Sequence, residues 1–357
     1  MKNDRKSKIT QRSLIVFILF LAIVIAQSVF TKKTEPETKE ETQSIFTRKI
    51  EPVTKSSFML NTFVTVTLYD KDDIEVLNGV LELCKSYENV FSRTIEDSEI
   101  YKLNHRAKGD QTMTLSKDTA DLLQAGLHYS ERSGGAFDIT IEPLSSLWDF
   151  TAETPVIPPE NQIEEAVKKV NYKNIKVTGD QVTFLSPDTS IDLGAIAKGY
   201  IADRMKDYLL ENGVNSAVIN LGGNVLCVGT KPDGTPFRIG LQKPYADRNE
   251  TIAQLSVDGK SVVSSGVYER HFVKDGVNYH HILSPKDGYP YENGLVSVTI
   301  ISDLSVDGDG LSTTCFALGL TDGLELLNST DGVYGIFITD DYEIHYSDGA
   351  EAFLVKE

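Results

Sequence analysis

Three segments of this chain hold residue types that phosphoryl-transfer chemistry uses: Ile191-Asp192-Leu193-Gly194-Ala195-Ile196-Ala197-Lys198-Gly199, His280-His281-Ile282-Leu283-Ser284-Pro285 and Asp309-Gly310-Leu311-Ser312-Thr313. Catalysis of that kind rests mostly on positioning and charge neutralisation. In the first segment Asp192 and Gly194 fall where a strand ending at Ser190-Ile191 should turn into a helix from Ala195 to Leu209. Glycine there lets a ligand approach the backbone, and the free N–H groups of the first helical turn attract phosphate. Lys198 lies one turn in, within reach of the same anion. The plainer alternative is a capped helix with a solvated lysine.

Asp309 and Thr313, four apart at the start of a helix carrying Leu311, Phe316 and Leu318, place a carboxylate and a hydroxyl on one face. Oxygen ligands of this kind suit Mg²⁺, which fills its other positions with water and phosphate oxygens. An N-cap aspartate beside an ordinary buried threonine is the competing account. His280 and His281 follow Tyr279 at a strand end, before a Ser284-Pro285-Lys286-Asp287-Gly288 turn. Either imidazole could take a hydroxyl proton near neutral pH, or serve structure alone. Two glycine turns, Ser133-Gly134-Gly135-Ala136-Phe137-Asp138 and Asn220-Leu221-Gly222-Gly223-Asn224, either line a ligand or merely turn the chain. The sequence contains no P-loop, dinucleotide G-x-G-x-x-G, nucleophile elbow or zinc-ligand spacing, which excludes those enzyme classes.

The elements that must position these residues read as α+β. Phe63 to Tyr69 alternates as a half-buried strand, and Ile74 to Val90 has helical spacing. A second helix runs from a Ser116 cap through Tyr129 to Gly134-Gly135. Asn174 to Leu185 and Gly332 to Tyr346 are hairpins turning at Gly179-Asp180 and near Asp340-Asp341. Pro155, Pro158 and Pro159 mark a loop between two halves, so the expectation is a single two-lobed mixed α/β catalytic domain over 56–357.

The N-terminus is of another kind. Lys2, Arg5, Lys6, Lys8 and Arg12 form a basic cytoplasmic segment (1–12) ahead of thirteen unbroken apolar residues, Leu14 to Ala26. Residues 13–30 therefore read as a transmembrane signal-anchor, or as a signal peptide that leaves the protein secreted when cleaved. Residues 31–55 are a polar tether in which Phe30-Thr31-Lys32-Lys33-Thr34-Glu35-Pro36 recurs as Phe46-Thr47-Arg48-Lys49-Ile50-Glu51-Pro52. The formal net charge of −17 argues against nucleic acid and against an anionic membrane surface. The expected location is the cell membrane, held by one N-terminal anchor with the catalytic domain extracytoplasmic. Cys84, Cys227 and Cys315 lack metal or redox spacing and read as buried thiols.

Seven ordered segments together resemble the ApbE family of FAD:protein FMN transferases. They are Phe91-Ser92-Arg93, Ser98-Glu99-Ile100 with Leu103-Asn104, Gly134 to Thr140 with Pro143-Leu144 and Trp148, Asp192 to Gly199, Asn220 to Asn224, His281-Ile282, and Asp309 with Thr313. The match runs from Phe58 to Phe353. It departs from the family pattern at Leu60-Asn61-Thr62, at Ser284 to Gly288 and at Gly308-Asp309-Gly310, and it lacks a lipobox cysteine.

The resemblance implies FAD lying against Ala136, Phe137, Asp138, Asp192, Lys198 and Ile282, and Mg²⁺ held by the Ala195 carbonyl with Asp309 and Thr313. It also implies transfer of FMN from FAD to a Thr or Ser hydroxyl of an extracytoplasmic redox protein, with release of AMP. His281 is the expected base. Two alternatives stand beside that function: an FAD pyrophosphatase giving FMN and AMP, and a non-catalytic surface flavin-binding protein.

Overall fold

Along Thr62-Phe63-Val64-Thr65-Val66-Thr67-Leu68 the apolar residues at every second position all reach the core, and Phe63 faces out. This is strand β2 (Thr62–Leu68), paired antiparallel with β1 (Val53–Met59). The computed structural model describes residues 51–356 apart from Arg248. The basic segment, the apolar run of 13–30 and the tether up to residue 50 lie outside the described residues. Because β1 begins at Val53, the last three residues assigned to the tether belong to the sheet instead. Among the described residues no helix is long and apolar enough to cross a membrane.

Helix α1 (Ile74–Phe91) starts where the Asp73 carboxylate accepts from the Glu75 and Val76 N–H groups. Ser98 caps α2 (Glu99–Asn104), and after β3 (Thr112–Thr114) Ser116 caps α3 (Lys117–Arg132). Then come α4 (Glu142–Trp148), α5 (Glu160–Val167), and the hairpin of β4 (Ile175–Thr178) with β5 (Gln181–Phe184). Helix α6 (Ala197–Glu211) leads into β6 (Ala217–Leu221), β7 (Asn224–Val228), β8 (Phe237–Gln242), β9 (Thr251–Val257) and β10 (Ser261–Gly266). The chain finishes with β11 (His271–Lys274), β12 (Val277–His280), β13 (Leu295–Ser302), α7 (Ser305–Asn328), β14 (Tyr334–Thr339) and β15 (Ile344–Tyr346).

Eight strands form one sheet in the order β1-β2-β6-β7-β10-β13-β14-β15, and all its ladders are antiparallel. That matches the α+β expectation. All eight residues of β13 are buried, because both faces of the sheet are covered there. Val298 and Ile300 face the core shared with α1, α6 and α7, whereas Ile301 faces a second apolar cluster with Val262, Phe237 and Leu255 beneath β8 and β9. A third cluster surrounds Trp148, with Leu144, Ile163, Ala166 and Leu283, and Phe150, Phe272, Tyr279 and Tyr289 at its margin. The Trp148 indole N–H donates to the Gly288 carbonyl at 2.8 Å.

Two expectations are corrected. Residues 50–357 form one compact unit, so the prolines at 155, 158 and 159 sit in a loop inside it and mark no boundary between two lobes. Ser190-Ile191 is not a strand, since β5 ends at Phe184 and the chain runs irregularly to α6. Asn104 supplies what a neighbouring strand would have: its side-chain amide donates to the Ile191 carbonyl at 2.8 Å and accepts from the Ile191 N–H at 2.7 Å.

Trp148 is 1 % exposed and ties α4 to the turn at Gly288. Trp148→Ala should lower unfolding stability by about 3–5 kcal/mol, the usual cost of emptying an aromatic core site. Guanidinium denaturation followed by circular dichroism measures it; a loss under about 1 kcal/mol would show that the third cluster contributes little.

Candidate functional site

Asp309 is the fifth residue of α7 and not its cap, which corrects the N-terminal position expected for it. The helix begins one turn earlier because Asp203, on α6, accepts from the Ser305 and Val306 N–H groups at 2.8 and 2.9 Å. A carboxylate from one helix thus caps another. Burial raises the Asp203 pKa to about 6 against the lowering effect of those two N–H donors.

The Asp309 carboxylate, 4 % exposed, faces the start of α6. One oxygen accepts the Gly199 N–H at 2.6 Å and the other accepts from the Asn224 amide at 3.1 Å. Asn224 is fixed in turn by the Ser305 hydroxyl at 2.8 Å, and Ser305 by Ser261 at 2.9 Å. The helices approach so closely that a Cβ at Gly199 would lie 2.2 Å from the Ser305 carbonyl oxygen. A Cβ at Gly310 would likewise meet the Tyr129 ring at 2.3 Å.

Gly199 is the third residue of α6, so its N–H is one of the first-turn donors that no helical carbonyl satisfies. Here it goes to Asp309, and among the described residues no hydrogen bond reaches the Ala195 carbonyl or the Lys198 N–H. The Ala195 carbonyl, the Asp309 carboxylate and the half-buried Thr313 hydroxyl are the oxygen donors that these two segments offer. Among the described residues Thr313 shares its hydroxyl only with Ser265, at 3.1 Å. Such a set fits a hard divalent cation that takes further oxygens from phosphate. Among the described residues no group of three or more His, Cys, Asp and Glu side chains is placed to hold a metal.

Asp192 lies on the approach to α6. One of its oxygens accepts the Gly194 N–H at 2.8 Å; the other accepts from Ser145 at 2.6 Å and pairs with the Arg93 Nε at 3.2 Å. The Asp192 N–H donates to the Ile139 carbonyl, bringing the Ala136-Phe137-Asp138 segment alongside. In that segment Phe137 is buried. The Asp138 carboxylate is committed to the protein itself, accepting from the Thr140 N–H and hydroxyl and from the Tyr172 N–H. Burial raises its pKa against those donors. Ala136 offers its carbonyl to the Tyr291 hydroxyl at 3.0 Å, which draws in the segment that contains Ile282.

The two adjacent histidines separate by their partners. His280 has its Nε2 3.0 Å from the Tyr291 carbonyl, while its Nδ1 accepts the Ile282 N–H at 3.3 Å. Both nitrogens are occupied by one neutral tautomer, and burial lowers the pKa to about 4. Among the described residues His281 has only its Nδ1 engaged, 3.3 Å from the Arg270 carbonyl, which favours the Nδ1–H tautomer and leaves Nε2 as an unprotonated acceptor. Burial, then the charge of Arg270, and further off that of Lys198, push the His281 pKa down to about 3. Gly199, the neighbour of Lys198, is held on Asp309.

The fold gathers all three chemistry-bearing segments and the Ala136–Asp138 turn. Sequence reasoning missed Ser145, Asp203, Ser265 and Arg270, which carry no local spacing signal, and gave Arg93 no role beyond its place in one of the seven segments. Asn224 was within reach, because the glycine turn that ends in it had been marked.

His280 also fixes a pH dependence. Its folded pKa lies below the ordinary 6.5, so the unfolded chain binds the extra proton first. The stability it contributes is complete above pH 6.5 and is lost as pH falls towards 4. Urea unfolding at pH 7.5 and pH 4.5 should show that loss, and it should be smaller in His280→Asn; an equal loss in the two would place its origin elsewhere.

A model of the ApbE family matches residues 60–337. The chain is similar to an FAD:protein FMN transferase of Klebsiella pneumoniae, 37% identical over 291 residues that span 81% of this chain and 90% of that protein. It is similar also to an FAD:protein FMN transferase of Treponema pallidum, 31% identical, covering 82% of this chain and 86% of the other. Among solved structures it is similar to an ApbE protein from Thermotoga maritima, with a TM-score of 0.78 and 31% identity over 86% of this chain and 100% of that one.

Proposed function

The chain belongs to the ApbE family and is an FAD:protein FMN transferase, and from that premise we propose that it moves FMN from FAD to a Thr or Ser hydroxyl of an extracytoplasmic redox protein, with Mg²⁺ bound at Ala195, Asp309 and Thr313. The observation that carries this proposal is the hydrogen bond from the Gly199 N–H to Asp309. It ties the first turn of α6 to the helix that carries the Asp309 carboxylate and the Thr313 hydroxyl, and among the described residues the Ala195 carbonyl and the Lys198 N–H take no hydrogen bond.

Lys198 and the first turn of α6 would bind the FAD pyrophosphate, as helix N-termini bind anions. The chemistry that Mg²⁺ supplies in such a site is neutralisation of charge on the phosphate oxygens. His281 Nε2 accepts the proton of the incoming hydroxyl. The oxygen attacks the phosphorus on the flavin side, a new P–O bond forms, and the bond to the AMP portion breaks, so that AMP leaves. A histidine with a depressed pKa is neutral at physiological pH and ready to accept a proton. The Arg270 carbonyl would orient it, and the backbone of Ala136 to Asp138 with Ile282 would bound the flavin nucleotide. The extracytoplasmic location is supported by the basic-flanked apolar run of Leu14 to Ala26.

The full chain incubated with FAD and Mg²⁺, with and without a threonine-bearing polypeptide, tests this by AMP release and acceptor mass. An FMN-sized mass gain together with AMP is expected. AMP with free FMN and no modified acceptor would make the protein a pyrophosphatase under those conditions. Asp309→Ala should abolish Mg²⁺-dependent turnover, and an unchanged rate would remove Asp309 from the metal site. His281→Ala should slow transfer by roughly 10²–10⁴, the usual range for a general base; transfer at the wild-type rate would exclude His281 from that role.

A further inference from the structure

Along β12 and its continuation, successive residues point their N–H and C=O groups to opposite sides. The His281 N–H donates to the Arg270 carbonyl at 3.1 Å, so the odd-numbered residues face β11. The even-numbered residues face the other way. There the Ile282 carbonyl accepts from the Tyr291 N–H at 3.0 Å, and the Ser284 N–H donates to the Tyr289 carbonyl at 2.8 Å. Asn278 and His280 present their backbone groups on this same side. Among the described residues no hydrogen bond from another segment reaches them, because the chain that covers Ile282 to Ser284 turns away at Glu292.

A cavity of about 480 Å³ opens beside that uncovered edge, lined by Asn278, Tyr279, Ser284, Lys286, Tyr291 and Glu292. The Asn278 side-chain oxygen, shielded from solvent, has no hydrogen-bond partner among the described residues. The edge ends on His281. We propose that the acceptor polypeptide binds here in extended form, as a strand added to the Asn278–His280 edge. It takes the line that the Tyr289–Tyr291 segment vacates and so brings its Thr or Ser hydroxyl to His281. Pairing of main chains supplies affinity with little demand on sequence, which suits an enzyme whose second substrate is a protein. An added strand runs about 4.8 Å from β12, close enough for a side chain to reach the imidazole of the next residue. The proposal rests on the transferase function above.

The test uses the full chain with a peptide drawn from around the threonine that gains FMN, synthesised with N-methyl groups on alternate backbone nitrogens. Methylation of one alternating set should raise the acceptor KM by about tenfold or more, and methylation of the other set should leave it nearly unchanged. Equal effects of both sets, or none, would overturn the added strand. Asn278→Pro removes an N–H that points away from β11, a change an edge strand tolerates. It should raise the acceptor KM while leaving the FAD KM unaltered. A raised FAD KM with an unaltered acceptor KM would assign the cavity to FAD and overturn the proposal. Should that variant not fold by circular dichroism, the methylated peptides decide alone. If no polypeptide gains FMN, the transferase proposal fails instead, which is a separate result.

Discussion

The hydrogen bond from the Gly199 N–H to the Asp309 carboxylate joins two helices at the first turn of one and the second turn of the other. It needs the start of α6 pressed against α7, which only a residue without a side chain at 199 permits. It gives a buried carboxylate a hydrogen-bond donor, where an unpartnered polar group would be costly. Asn224 completes the set of donors, and Ser305 and Ser261 hold Asn224. A single contact therefore accounts for the glycine and for the polar chain beneath it.

Around that contact the backbone is held by side chains more than by regular ladders. Asn104 pairs with both backbone groups of Ile191, and Asp203 takes the first N–H groups of α7. Asp138 gathers Thr140 and Tyr172, and His280 spans Ile282 and Tyr291. Buried backbone groups must find partners, and these polar residues provide them where the chain is irregular. The result is a set of loops held in place without secondary structure, which suits residues that must meet a ligand at fixed distances.

Several elements were legible in the sequence because their signals are local. The alternation of β2, the capped helices α1 and α3, and the hairpins at Gly179 and near Asp340 fell where periodicity and turn chemistry placed them. The errors have a common cause. Ser190-Ile191 looked like a strand because Asn104, whose amide replaces the neighbouring strand, is 87 residues away. Asp309 looked like the start of its helix because the capping carboxylate, Asp203, sits on another helix and lets the first turn begin at Ser305. The proline loop looked like a boundary, yet Trp148 and Leu283 pack together from its two sides.

The candidate site divides in the same way. The sequence by itself determined which residue types were available and their local spacing: a carboxylate and a hydroxyl four apart, a lysine one turn into a helix, two histidines beside a turn. Periodicity and glycine placement act over a few residues, so they survive in a linear reading. The tertiary structure alone decided that His280 is locked by Tyr291 and Ile282 while His281 keeps a free nitrogen, that Gly199 yields its N–H to Asp309, and that Arg93 and Ser145 fix Asp192. Those outcomes depend on which buried polar groups meet across long stretches of chain. Close packing around the sheet settles that, and no local pattern encodes it.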